Sequence, residues 1–247
     1  MSHAITKAFL LAAGLGTRLR PLTERVPKCL VPIHGRPLLD IWLDICEELG
    51  VREVLINTHH LADEVRSWAR SRSSQVTIHL THEEKLRGSA GTVAANRAFI
   101  EREQDFYIFY ADNLVRADIR ELSLFHLQHP GVLTLGLFRS SRPRDCGIVD
   151  LDVSSRIVSF EEKPVAPQSN LANAGIFVAR SALFDYIAAG QFADFGKDVI
   201  PKLIGRIWGK ELGGYLLDIG THENYLRALR EWPVIIGRAG IREPATA

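Results

Sequence analysis

Apolar positions follow two rhythms along this chain. Residues 8–13 form a continuous apolar run closed by Gly14, the pattern of a strand buried on both faces of a parallel sheet. Pro37 then opens a segment in which Leu38, Leu39, Trp42, Ile45 and Leu49 recur at helical spacing, and Gly50 ends it, as a left-handed stop residue does. Strand 53–57, helix 61–70, strand 76–81, helix 91–99 and strand 106–110 follow by the same reading. That alternation predicts a parallel sheet with helices on both faces.

Beyond Asp112 the rhythm changes. Residues 122–127 fit a helix, but the runs 132–138, 148–151 and 157–160 are closely spaced and separated by Gly147, Asp152, Ser154 and Ser155, which predicts antiparallel strands and a lid over one end of the sheet. Helices are expected again at 181–189, 198–204 and 223–231, and the closing "GRAGIREPATA" carries little apolar periodicity and is expected to fray. With no internal repeat, low-complexity stretch or linker, the 247 residues read as one mixed α/β unit.

Composition narrows the function classes. At 46% hydrophobic and 24% charged, the chain can bury one large core. A net charge of +1 gives no global attraction to nucleic acid or anionic lipid, so charge-driven binding must be local. No apolar run approaches the roughly 18 residues that span a bilayer, and no cleavage signal follows the short apolar run behind Lys7. Three cysteines, Cys29, Cys46 and Cys146, suit a reducing, cytosolic compartment better than a disulfide framework.

Local charge gathers in "KAFLLAAGLGTRLRPLTERVPKCLVPI". A glycine turn after a buried first strand lies at the carboxyl edge of the sheet, where backbone N–H groups can face phosphate oxygens. "GLGTRL" lacks the third glycine of the dinucleotide fingerprint, and the chain has no Walker A pattern. Arg18 directly after Gly14 and Gly16, with Lys28 after Pro27, pairs a guanidinium and an ammonium suited to a triphosphate attacked at its α-phosphorus. Arg20 and Arg25 read as solvated bystanders. Asp112 and Asp218 each follow a short apolar strand and can meet at the same sheet edge, where hard carboxylate oxygens suit Mg2+. For Asp218, before "IGT", a turn or helix cap is the competing reading. His59 and His60 are adjacent, without zinc spacing, and belong to a strand-to-helix loop with Asn57 or Thr58 as its cap. His222 reads as a residue of a helix-starting turn.

The segment "LAAGLGTRLRPLTERVPKCLVPIHGRPLL" resembles the signature of the sugar-1-phosphate nucleotidyltransferases, which join a nucleoside triphosphate to a sugar 1-phosphate and release pyrophosphate. The likeness continues, in order, through "EEKLRGSAGTVAAN", "FYIFYADN", "CGIVDLD", "IVSFEEKP", "NAGIFV" and "LLDIGTHENYLRA". Two departures are visible: Cys29 where the family often has proline, and Ala111 where a glycine is usual. Ala111 fits if its φ is not positive, and Cys29 needs no nucleophilic role.

The resemblance implies a single Rossmann-like, glycosyltransferase A-like domain with a mixed sheet and antiparallel sugar-side hairpins. Its nucleotide-binding part would span about 1–115, its sugar-side part about 116–220, and its C-terminal helix and tail about 221–247. The nucleotide would meet Leu11, Ala13, Gly14, Gly16, Thr17, Arg18, Glu83, Gly88, Ser89 and Ala90, and the acceptor Asn113, Gly147, Glu162, Lys163 and Asn173. Catalysis would rest on Arg18 and Lys28, with Mg2+ on Asp112 and Asp218. Glu83, where thymidylyl- and uridylyl-transferring relatives tend to carry glutamine, is an acceptor for the adjacent N1–H and N2–H2 donors of guanine. This points to GTP, with Glu84 as the competing acceptor one register away.

The expected substrates are therefore GTP and a hexose, heptose or cyclitol 1-phosphate. Uridylyl, thymidylyl or cytidylyl transfer to another phosphorylated acceptor is the alternative within the fold, and a catalytically silent sensor subunit the alternative outside it. Retention of all four charged residues speaks against the sensor. The sequence ends soon after the last motif, which implies one activity without a C-terminal β-helix, and homo-oligomers are common in the family.

Overall fold

A computed structural model describes residues 4–100, 105–188 and 190–239. The expected tail beyond 239, and Ala189 at the end of one expected helix, lie outside the described residues. The parallel core comprises β1 (Lys7–Leu11), then, past two short strands β2 (Pro32–Ile33) and β3 (Arg36–Pro37), helix α1 (Leu38–Leu49) and β4 (Glu53–Thr58). Helix α2 (Ala62–Arg70), β5 (Thr77–His82), α3 (Ser89–Ala95) and β6 (Asp105–Tyr110) complete it. These strands lie β5-β4-β1-β6 and are parallel throughout. Helix α1 has the expected bounds, closed by Gly50 at φ 80.

The second half adds β7 (Asn113–Ala117), α4 (Ile119–His126), β8 (Leu133–Arg139), β9 (Gly147–Leu151), β10 (Ile157–Glu162), β11 (Leu171–Arg180), β12 (Trp208–Glu211), β13 (Gly214–Asp218) and α5 (His222–Ala239). Its strands extend the same sheet: β11 runs antiparallel to β6 and pairs with β8 and β9, and β10 pairs with β9. β7 and β13 form a separate antiparallel ribbon. β11 escapes a periodicity reading because "LANAGIFVAR" holds Gly175 at φ 68 where its register shifts between Asn173 and Phe177, which breaks the alternation. The expected helices 181–189 and 198–204 are instead a 3-10 turn at Ser181–Tyr186 and a π-helical turn at Phe195–Val199 followed by a 3-10 turn at Ile200–Leu203, where Pro201 removes a backbone donor.

Alternation within the buried strands feeds two cores. Ala8, Leu10, Tyr107 and Phe109 join Leu39, Trp42 and Trp68 on one face, while Phe9, Phe106 and Ile108 join Val93, Phe177 and Phe195 on the other. Trp42 is fully buried, stacks on Phe109 at 5.0 Å and donates its indole N–H to the Asn113 carbonyl at 2.9 Å. The core thus also fixes the backbone next to Asp112. No helix among the described residues is long and apolar enough to cross a membrane.

A histidine pair lies away from the carboxyl edge. His126 is fully buried, its Nδ1 2.5 Å from Thr134 Oγ1, and its Nε2 has no hydrogen-bond partner among the described residues. His129 stacks on Trp208 at 4.4 Å. Burial, reinforced by His126 and Arg180, pushes the His129 imidazole down to about 4, and burial also lowers His126. Both are neutral when folded yet gain a proton when unfolded below about 6.5. For His129 this stabilising contribution is therefore present above that pH and lost as pH falls toward about 4, and His126 acts in the same direction. His129 alone should cost roughly 2 kcal/mol between pH 7 and pH 5. Melting curves across that range should show a flatter pH dependence for His129→Asn than for the wild type.

Candidate active site

The site forms where parallel strands end. β1 and β6 are in register to Leu11 and Tyr110, and the Ala111 N–H donates to the Leu11 carbonyl at 3.1 Å. The glycine turn and Asp112 therefore emerge side by side. Ala111 has no positive φ, so it fits where glycine is usual.

The turn needs one of its glycines for shape. Gly16 has φ 63, and a Cβ there would lie 2.8 Å from Thr23 Cγ2. Thr23 Oγ1 donates to the Gly16 carbonyl at 2.7 Å, while His60 Nε2 sits 3.0 Å from the Thr23 carbonyl and His222 Nε2 2.6 Å from that of Arg20. Two imidazoles thus pin an irregular loop from outside. Neither belongs to a metal cluster, since no group of three or more His, Cys, Asp or Glu that could hold a metal occurs among the described residues. A Cβ on Gly14 would meet open space.

Lys28 is the pivot. Only 7% of its side chain is exposed, and its Nζ donates to Asp112 Oδ2 at 2.8 Å and Asp218 Oδ1 at 3.2 Å. Pairing of β13 with β7 sets Asp218 opposite Asn113 and so brings the two aspartates together. Burial alone would lower the Lys28 pKa, but the two carboxylates outweigh it and raise it, so the ammonium stays charged at neutral pH. Arg18 NH2 lies 3.8 Å from Asp218 Oδ2 with most of its side chain in solvent. Asp218 also shapes a turn, accepting the Gly220 N–H at 2.7 Å, as the competing reading of that residue expects. Thr221 Oγ1, not Asp218, accepts the Asn224 N–H at the start of α5. Cys29 is buried, and burial pushes its thiol up to about 12, which makes it a poor nucleophile.

Two cavities flank this pivot. The first, about 340 Å3, is lined by Leu11, Ala13, Gly14, Glu83, Gly88 and Ser89. The second, about 280 Å3, is lined by Arg18, Asn113, Gly147, Glu162, Lys163, Asn173 and Asp218. Asp112, Tyr110 and Asp194 line both. Burial, opposed by Lys163 and aided by Asp194, raises the Glu162 pKa. Gly16 and Thr17 shape the approach to Arg18 without lining either cavity, and Arg20 and Arg25 are exposed and line neither.

Three expectations are corrected. Ala90 is fully buried and gives its N–H to the Ala193 carbonyl at 3.0 Å, so it offers no N–H to a nucleotide. Asn57 caps no helix: it is buried, accepts the Ala12 N–H at 2.7 Å, and donates to Glu83 Oε1 at 3.0 Å. The Glu83 carboxylate is not free for two external donors, being 1% exposed and bonded to Asn57, to Thr92 Oγ1 at 2.5 Å and to the Arg87 N–H at 3.0 Å. Glu84 is exposed and does not line the first cavity. Asp194, which accepts from Ser89 Oγ at 3.0 Å, and the exposed Phe192 escape a sequence reading, since "QFADFG" carries no motif.

A family model described as "Nucleotidyl transferase" matches residues 7–233. A UTP–glucose-1-phosphate uridylyltransferase of Synechocystis is 30% identical over 244 residues, covering 91% of this chain and 62% of that protein. A mannose-1-phosphate guanylyltransferase of Mycobacterium tuberculosis is 32% identical over 225 residues, covering 89% of this chain and 62% of the other. The chain thus spans less than two thirds of the length of these curated relatives. A crystal structure of a putative glucose-1-phosphate thymidylyltransferase from Bacillus anthracis shares the fold, with TM-score 0.79 at 22% identity over 91% of this chain and 94% of that one.

The two glycines of the turn should respond differently to a methyl group. Gly16→Ala should lose about 1–3 kcal/mol in urea unfolding, from left-handed backbone and the Thr23 clash, whereas Gly14→Ala should stay within about 0.5 kcal/mol of wild type.

Proposed function

The chain belongs to the nucleotidyl transferase family, and on that premise we propose that it transfers a nucleotidyl group from GTP to a sugar 1-phosphate, releasing pyrophosphate. One observation carries this reading: the Lys28 ammonium is held by Asp112, which lines both cavities, and by Asp218, which lines the second. A triphosphate crossing from the first cavity toward the second presents its α-phosphorus there. The acceptor would be a hexose, heptose or cyclitol 1-phosphate, with Glu162, Asn173, Asn113 and Gly147 at its hydroxyls and Lys163 at its phosphate. The whole chain acts as one unit, its base side formed mainly by residues 1–115 and its acceptor side mainly by 116–220.

The reaction needs positioning more than proton transfer. The acceptor phosphate is already anionic near neutral pH, so its oxygen attacks the α-phosphorus in line without a general base. A new oxygen–phosphorus bond forms as the bond to the bridging oxygen breaks, and pyrophosphate leaves with the electron pair. Arg18 and Lys28 neutralise charge on the α-phosphoryl oxygens and the leaving group. Two partly exposed carboxylates drawn together around a single ammonium fit Mg2+, which accepts one or two carboxylates plus substrate phosphates. Asp112 and Asp218 would hold the ion, and it would supply further neutralisation of phosphate charge.

GTP is favoured by the name of the M. tuberculosis relative. UTP or dTTP is the second reading, favoured by the name of the Synechocystis relative. Pyrophosphate release should appear with GTP and at least one sugar 1-phosphate in the presence of Mg2+, and turnover with UTP or dTTP but never GTP would overturn the donor assignment. Asp112→Asn should lower kcat at least about a hundredfold while leaving the fold intact, and a near-wild-type rate would remove Asp112 from the site.

A further inference from the structure

Residues 191–196 touch both cavities without carrying a recognisable motif. They run along the start of α3, where the Ala193 N–H donates to the Arg87 carbonyl at 2.9 Å and the Ala193 carbonyl accepts the N–H groups of Ala90 and Gly91, each at 3.0 Å. The approach is close enough that a Cβ on Gly91 would lie 2.9 Å from the Gln191 carbonyl oxygen, and one on Gly88 2.3 Å from that of Ala193. Ser89, between those glycines, accepts the Phe195 N–H at 2.9 Å and donates to Asp194 Oδ2 at 3.0 Å. The segment is thus anchored to the wall of the first cavity.

Its far end reaches the second cavity. Asp194 caps the π-helical turn Phe195–Val199, its Oδ1 accepting the Gly196 N–H at 2.9 Å, a bond that an aspartate makes readily two residues along its own backbone. Gly196 in turn lies against the Glu162 carboxylate: a Cβ on it would sit 2.5 Å from Glu162 Oε2, and one on Gly147 2.8 Å from the same oxygen. Among the described residues, burial and the charges of Lys163, Asp194 and Lys197 act on that carboxylate, and no hydrogen bond from the protein does. Its place is therefore set by the two glycines packed against it. Gly196 has no room for a Cβ and so carries the backbone freedom of a residue without one, which the Asp194 cap restrains.

We infer that Asp194 is a positioning residue for the acceptor: it holds Gly196 against Glu162, so that this carboxylate stands in the second cavity, and its bond to Ser89 ties that placement to the wall of the first. The inference rests on the nucleotidyl-transfer reading, with Glu162 at the acceptor hydroxyls, and deepens it. Each Asp194 oxygen already holds a protein donor, Ser89 on one and Gly196 on the other, so Asp194 acts through its neighbours. A carboxylate displaced by about 1 Å binds a hydroxyl poorly, which is how a residue away from the reacting atoms changes substrate binding.

The deciding experiment varies donor and acceptor concentrations together, with the triphosphate and hexose 1-phosphate that release pyrophosphate fastest. Asp194→Ala should raise the acceptor KM at least about tenfold while the donor KM and kcat stay within about threefold. Asp194→Asn keeps an oxygen for the Gly196 N–H and should return the acceptor KM to within about threefold of wild type. An equal rise in both KM values, or a fall in kcat with the acceptor KM unchanged, would overturn the inference, since a purely structural role lowers the amount of active enzyme and not its affinity for one substrate. In a Glu162→Ala background, Asp194→Ala should raise the acceptor KM by less than about twofold more; the full rise there would exclude action through Glu162. Should Asp194→Ala fail to fold, Gly196→Ala decides, because its new methyl group meets carboxylate ends and leaves Asp194 in place. It should raise the acceptor KM selectively, and an unchanged value would overturn the placement of Glu162 by Gly196. Absence of turnover with every substrate pair would instead overturn nucleotidyl transfer itself, a distinct outcome.

Discussion

One ammonium between two carboxylates organises the carboxyl edge of this protein. Lys28 comes from an irregular loop, Asp112 from the end of a parallel strand, and Asp218 from a ribbon about a hundred residues later, so no local propensity brings them together. The meeting depends on register: Asp218 pairs opposite Asn113, whose carbonyl is held by the indole of the fully buried Trp42. A slip of one residue in that ribbon would turn Asp218 to the other face. Core packing on one side of the sheet therefore fixes an electrostatic contact on its edge.

Around that contact the two cavities are separate in composition and joined at a polar seam. Tyr110 donates to Ser89 Oγ at 3.1 Å, and Ser89 donates to Asp194, which lies on a turn more than a hundred residues away. This seam is satisfied within the protein, so it keeps its shape without a ligand to order it. The Arg18 guanidinium stays largely in solvent, where reorienting toward phosphate costs little desolvation.

The sequence made the parallel half of the fold legible because β1, β4 and β6 are short, largely apolar runs and β5 alternates. α1 could be bounded to the residue because Pro37 and Gly50 act on backbone geometry directly. β11 was visible only through family likeness, since a glycine bulge inside it conceals the two-residue period. At the site, charged and glycine residues within contiguous motifs could be read. Asn57 and Asp194 could not, because their importance lies in distant partners: Asn57 spans from Ala12 to Glu83, and Asp194 reaches Ser89. That the Glu83 carboxylate is bonded to Asn57, Thr92 and the Arg87 N–H could not be read either, since hydrogen-bond occupancy is a property of packing rather than of residue type.

The bulge in β11 has a consequence for how such a protein diverges. Asn173 and Gly175 lie at the irregularity and line the second cavity, while the lining of the first includes Leu11, the glycine turn after it, the loop before α3 and the start of α3. Among the described residues, only Tyr110, Asp112 and Asp194 line both cavities. Substitutions on the antiparallel flank can thus remodel one pocket while leaving the lining of the other intact. Apart from the three shared residues, the two cavities can therefore change shape separately.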